Sequence, residues 1–203
     1  MPPKVKYTKE EIVGCALEMV RNHGADIISA RNLAVALGTS TAPIFTAFSG
    51  IDELTVAVKE RAVELYKEKY LTSALASELP FKAAGLAYIR FAKEEPELFK
   101  YVFMDEGNDD EQSHYLPSGD PTSPLVLDAL ASSHGIDEDL AKEIYNHLSV
   151  YTYGLAVLFA RRSCVFTMDD VDRMLSELFY ALKTRRVAAG NDAHNRAEEG
   201  ENE

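Results

Sequence analysis

The sequence predicts an all-α protein, with an N-terminal three-helix head containing a helix-turn-helix and a C-terminal helical body. Apolar residues recur at three- and four-residue spacing in nearly every segment. Ser, Thr, Asp and Gly punctuate those segments at helix-length intervals. No alternating apolar run is long enough to suggest a sheet.

The first helix opens at Thr8-Lys9-Glu10-Glu11, which has capping-box spacing: Thr8 can accept from the Glu11 N–H while the Glu11 side chain reaches back. Ile12, Val13, Ala16, Leu17, Met19 and Val20 follow with helical period, and Gly24 suits the position past the C-terminus. Ser29 is the next N-cap, leading a short helix with Leu33, Ala34 and Leu37 on one face, closed by Gly38. Ser40 is expected to cap a third helix to Phe48, with Pro43 tolerated in its first turn. Ile44, Phe45 and Phe48 are expected to pack inward, leaving Thr39, Ser40, Thr41, Ala42 and Thr46 facing out. Two short helices joined by a tight glycine turn behind a longer first helix form a helix-turn-helix pattern.

Asp52 is expected to cap a long connector helix, 52–72, with Leu54, Val58, Ala62, Leu65 and Tyr66 on one side. Further helices are expected at 81–94, 97–104 and 122–133, with an acidic loop at 105–121. Asp137 should cap a very long helix to Cys164, and Asp169 should start the last one, 169–186. The domain boundaries that follow are 7–52 for the head, 53–186 for the body and 187–203 for an acidic tail expected to be disordered.

Composition narrows the function. The net charge of −12 argues against a general nucleic-acid binder. It is uneven: residues 1–60 carry six Lys/Arg against seven Asp/Glu, whereas residues 187–203 carry one base against five acids. The head is therefore the segment least repelled by phosphate, although it is not basic. Met1-Pro2-Pro3-Lys4 is not followed by an apolar signal core, and the longest nearly apolar run, 148–160, is too short to span a bilayer. Cys15 and Cys164 read as free thiols of a reducing cytoplasm. His114, His134 and His147 lack metal-ligand spacing, and no phosphate loop, nucleophile elbow or Cys/His pair appears. Neither a catalytic residue, a metal nor a cofactor is expected.

Six motifs in one order carry a family resemblance: Thr8-Lys9-Glu10-Glu11-Ile12, His23-Gly24, Ser29-Ala30-Arg31-Asn32-Leu33-Ala34, Leu37-Gly38-Thr39-Ser40, Ile44-Phe45-Thr46-Ala47-Phe48 and Asp52-Glu53-Leu54. They resemble the DNA-binding domain of the TetR family over residues 7–55. The resemblance implies a cytoplasmic homodimeric regulator, commonly a repressor released from a palindromic operator by a small molecule. It makes the third helix the recognition helix and puts Ser29 and Arg31 near the phosphate backbone. With the helix-turn-helix reading, the DNA-binding set becomes Ser29, Arg31, Thr39, Ser40, Thr41, Ala42, Phe45 and Thr46. Two departures weaken the implied grip on phosphate. The family usually has Tyr where Phe45 stands and often Lys where Ile51 stands, which leaves more to Lys4, Lys6 and Arg31.

The effector expected in the body is a small apolar or aromatic molecule, in a pocket drawn from Tyr66, Tyr88, Phe91, Phe103, Tyr145, Tyr151 and Phe159. The dimer is expected to bury Leu155, Phe159, Leu175, Leu178 and Leu182, on the two longest apolar helices near the C-terminus. The alternative is a dimeric ligand-binding or interaction protein of the same fold whose DNA binding is weak or lost, which the acidity, Phe45 and Ile51 favour. An all-α enzyme ranks third.

Overall fold

The computed structural model describes residues 7–104, 123–134 and 137–200, and every regular element among them is helical. The expected acidic loop, Gly135, Lys4 and Lys6 lie outside the described residues.

Helix α1 (Lys9–His23) starts on the expected capping box, with both halves formed: Glu11 N–H donates to Thr8 Oγ1 at 3.2 Å and Thr8 N–H to Glu11 Oε2 at 2.7 Å. Gly24 follows at φ +83°, a conformation that other residues adopt only with strain. Helix α2 (Ala30–Ala36) is capped by Ser29, whose hydroxyl accepts from Asn32 N–H. It ends in a Schellman motif on Gly38 (φ +62°): Thr39 N–H donates to Ala34 C=O and Gly38 N–H to Val35 C=O.

Helix α3 (Ala42–Ala47) corrects the expected start. Thr41, not Ser40, is the N-cap, through its backbone carbonyl alone. A Ser40 cap would need an N–H at residue 42 or 43 to bond, and residue 43 is a proline. The inward set is corrected too: Ile44 and Phe48 are buried, but Phe45 is 52% exposed.

Helix α4 (Ile51–Tyr66) begins one residue before Asp52, with Gly50 as N-cap. The reason is Glu53, whose carboxylate accepts from both the N–H and the hydroxyl of Ser49 at 2.7 and 2.8 Å, fixing the chain a turn early. The same carboxylate takes Lys9 Nζ of α1 at 3.0 Å, so one side chain ties together three parts of the head. The connector then departs from a plain helix. A π turn at Lys67–Leu71 precedes α5 (Thr72–Leu75), and the Thr72 hydroxyl satisfies the Lys67 carbonyl. The extra residue in that turn lets the adjacent Tyr70 and Leu71 both be buried.

The body comprises α6 (Pro80–Glu94), α7 (Pro96–Phe103), α8 (Ser123–His134), α9 (Glu138–Ala160) and α10 (Met168–Gly200). Asp137 caps α9 as expected, accepting from Leu140 N–H. That helix stops at Ala160 rather than Cys164, because Arg162 turns left-handed (φ +55°) and Ser163 N–H closes onto Leu158 C=O. Thr167, not Asp169, caps α10, sharing reciprocal bonds with Asp170. The last helix also runs to Gly200 through the segment expected to be disordered. Alanines at 188, 189, 193 and 197 and the absence of proline favour helix there.

Head and body share one contiguous core, from Ile12 of α1 to Leu175 of α10. At its seam Arg21 Nε donates to Glu95 Oε2 at 2.8 Å, and Tyr101 of α7 donates to the Thr55 carbonyl of α4 at 2.8 Å.

The Glu53 clamp makes an acid-stability prediction. Its hydrogen bonds to Ser49 hold the Glu53 carboxyl down to about 2, against an ordinary 4.5. A depressed folded-state value stabilises above the unfolded value and is lost as pH falls through the folded one. Thermal melts from pH 5 to 2 should therefore show a loss of stability that is smaller in Glu53→Gln. An identical slope in the variant would remove the clamp from the account.

Candidate DNA-reading face and effector cavity

The head presents one polar outer face. Arg31, Ser40, Thr41, Ala42 and Thr46 are exposed there, with Ser29 and Thr39 half-buried beside them. Their chemistry is partly committed. The Ser29 hydroxyl accepts from Asn32 N–H as a cap, which leaves its own proton to donate outward. Thr46 Oγ1 donates to the Ala42 carbonyl at 2.9 Å, so this side chain offers chiefly a methyl and an acceptor lone pair. Thr41 makes no side-chain cap bond.

Two apolar side chains share this region. Phe45 stands 52% exposed on α3 and Val35 76% exposed on α2. Phe45 thus adds an aromatic ring, about half of it accessible, to a face otherwise made of small hydroxyl and methyl groups. Ile51 is half-buried against the core, a structural position in this chain.

In the body, a cavity of about 120 Å³ lies between α6, α8, α9 and α10, with Tyr66 of α4 in its wall. Of the aromatics expected to line it, Tyr66, Tyr88 and Tyr145 do. The other four do not. Phe91 and Phe103 are packed into an aromatic core with Phe99: Tyr66–Phe91 and Tyr88–Phe99 centroids lie 5.1 Å apart, and Tyr88–Phe103 4.8 Å. Tyr151 is half-buried on α9 away from the cavity. Phe159 sits in a separate shallow depression with Lys93 and Arg162, its ring 5.8 Å from Lys93 Nζ.

The wall also holds groups the sequence pattern did not single out. Phe81, Gly85, Leu148, Thr152, Leu175 and Phe179 line it, and Leu79, Lys82 and Tyr180 reach it from the more exposed side. Lys82 Nζ pairs with Asp172 Oδ2 at 2.7 Å, bridging α6 and α10. Gly85 could have been found as a mid-helix glycine in an alanine-rich segment; Thr152 gives no signal before the helices are packed.

The expected dimer residues divide as well. Leu155, Phe159 and Leu175 are buried within the single chain. Leu178 and Leu182 are half-buried. The apolar groups that α9 does expose are Val150 and Leu158, at 51% and 39%, with exposed Gly154 midway between them.

Among the described residues no three His, Cys, Asp or Glu side chains gather as a metal site would, and no helix is long and apolar enough to cross a membrane.

No protein-family model and no curated protein matches the sequence. Among solved structures, the chain is similar to a TetR-like transcriptional regulator from Rhodococcus sp. RHA1, at 16% identity and a TM-score of 0.58. That match covers 89% of this chain and 97% of the other. The likeness is one of architecture, and it agrees with the motif order of residues 7–55: the chain has the all-helical fold of a TetR-like transcriptional regulator.

Proposed function

We propose that the protein is a cytoplasmic, ligand-responsive transcriptional repressor that binds a palindromic operator as a homodimer. The observation that carries this reading is the head's outer face. A six-residue helix stands behind a Schellman turn, with Thr41, Ala42, Phe45 and Thr46 unburied and Arg31 beside them. A helix-turn-helix of this kind sets its second helix in the major groove, and a two-fold dimer sets two copies about one helical turn apart. Methyl groups of Ala42 and Thr46 suit thymine methyls, and the Thr41 hydroxyl suits a base edge or a phosphate.

The dimer is assigned to α9 and α10, through the α9 stripe of Val150, Gly154 and Leu158 in place of the buried leucines. At Gly154 no heavy atom comes within 4 Å of where a Cβ would stand, so a second helix can approach the backbone there. Release from DNA is assigned to the cavity. Tyr66 is at once the end of α4 and part of the cavity wall, so a ligand that favours one position of Tyr66 favours one setting of α4. A ten-fold change in operator affinity requires about 1.4 kcal/mol of differential affinity between the two settings.

A second reading keeps the fold without DNA binding. Exposed Phe45 and Val35 on an acidic chain support it.

Gel-shift titration with DNA from upstream of the gene tests the first reading. Arg31→Ala should weaken every sequence similarly and flatten the salt dependence by about one phosphate contact. Thr41→Ala should instead change the ranking among sites. Phe45→Tyr should strengthen binding by about five-fold, if its added hydroxyl reaches a phosphate. Absence of binding at low salt would hand the function to the second reading. For the dimer, Leu158→Glu should shift sedimentation at micromolar concentration toward monomer with the fold retained; a wild-type monomer would sink the assignment.

A further inference from the structure

The cavity has a chemistry of its own. Thr152 is the one buried Ser, Thr or charged side chain among the described residues, with 9% of its surface accessible. It lines the cavity, and no described residue hydrogen-bonds to its hydroxyl. No buried side-chain N or O atom among the described residues lacks a partner, so the Thr152 hydroxyl is a group open to the cavity that a ligand's polar group can reach. The wall also carries Ser149, Tyr66, Tyr88, Tyr145 and Tyr180, together with Lys82 and Ser176. Lys82 already has its counter-ion in Asp172, and the Ser176 hydroxyl donates to the Asp172 carbonyl at 2.8 Å. Among the described residues that line the cavity Lys82 is the only cation, so a ligand carboxylate would have to compete with Asp172 for it.

Gly85 of α6 lies beside Thr152 and Leu175 in the same wall: a Cβ built there would lie 3.5 Å from Leu175 Cδ1 and 3.8 Å from Thr152 Oγ1. Both are ordinary contacts, so an alanine would fit without strain and fill space that glycine leaves open. The cavity of about 120 Å³ compares with an engineered cavity of about 150 Å³ that holds benzene.

We infer that the effector is an uncharged molecule that places one ring-sized apolar group in the cavity and one hydrogen-bonding group on Thr152 Oγ1. The absent side chain of Gly85 leaves space beside Thr152 for the bound group. This rests on the ligand-responsive reading for its biological meaning, but the binding chemistry is tested without DNA.

The experiment measures binding of benzyl alcohol, toluene and benzoate to the full chain by calorimetry and thermal shift at pH 7. Benzyl alcohol should bind more tightly than toluene by about 2- to 10-fold, the range of one neutral hydrogen bond. Benzoate should bind at least about ten-fold more weakly than the alcohol. Thr152→Val, which keeps the shape, should abolish the preference of alcohol over toluene while toluene still binds. Gly85→Ala should raise the melting temperature of the free protein, because alanine is the better helix former, and weaken all three ligands. Benzoate binding as tightly as benzyl alcohol, an unchanged preference in Thr152→Val, or no binding of any of the three overturns the inference. Binding as expected with no effect on a gel shift would refute the switch alone, and leave the cavity chemistry standing.

Discussion

One stripe of side chains holds the two halves of this protein to each other: Leu54, Val58, Ala62 and Tyr66 along α4, each essentially inaccessible to water. A four-residue step exceeds the helical repeat, so each successive residue is displaced by about 40° around the axis, or roughly 120° over the three steps. The stripe therefore begins against α1 of the head and ends in the aromatic core of α6 and α7. Because a packed interior cannot deform continuously, α4 has no independent position. Its setting is fixed at one end by Glu53 and its partners Ser49 and Lys9, and at the other by the rings around Tyr66. Arg21 with Glu95, and Tyr101 with the Thr55 carbonyl, pin the seam between them.

That arrangement separates two jobs among residues of one kind. Phe91, Phe99 and Phe103 fill space and make the body rigid, while Tyr66 and Tyr88 belong both to that filled core and to the cavity wall. Tyr66 in addition belongs to the connector helix α4. The π turn at Lys67–Leu71 follows Tyr66 directly, so the chain leaves regular geometry where the connector meets the cavity.

The outer face of the head carries little charge. Phosphate affinity normally rests on lysine and arginine, and the described outer face offers Arg31 with small hydroxyl and methyl groups around it. Under the proposed DNA-binding function, contact there would depend on shape, and so on the placing of α3. Gly38, which takes a left-handed turn that other residues adopt only with strain, and the proline-containing first turn, whose φ is fixed, decide that placing.

Sequence by itself determined the elements that depend on neighbours along the chain. The Thr8–Glu11 box, the Ser29 and Asp137 caps and the Gly38 stop are local hydrogen-bonding and backbone requirements, and all are legible in order. The motif order that implied the fold is of the same local kind. Tertiary packing alone decided the rest. Ile44 and Phe45 are adjacent and similarly apolar, yet only Ile44 meets the core, because a six-residue helix can turn just one narrow face inward. The same holds for Leu155 and Leu158 on α9, the first inside the chain and the second at its surface. Helical period marks an apolar face but does not say which neighbour covers it. The cavity is the extreme case: Gly85, Thr152 and Leu175 are far apart in the chain, and only the crossing of α6, α9 and α10 makes them one wall.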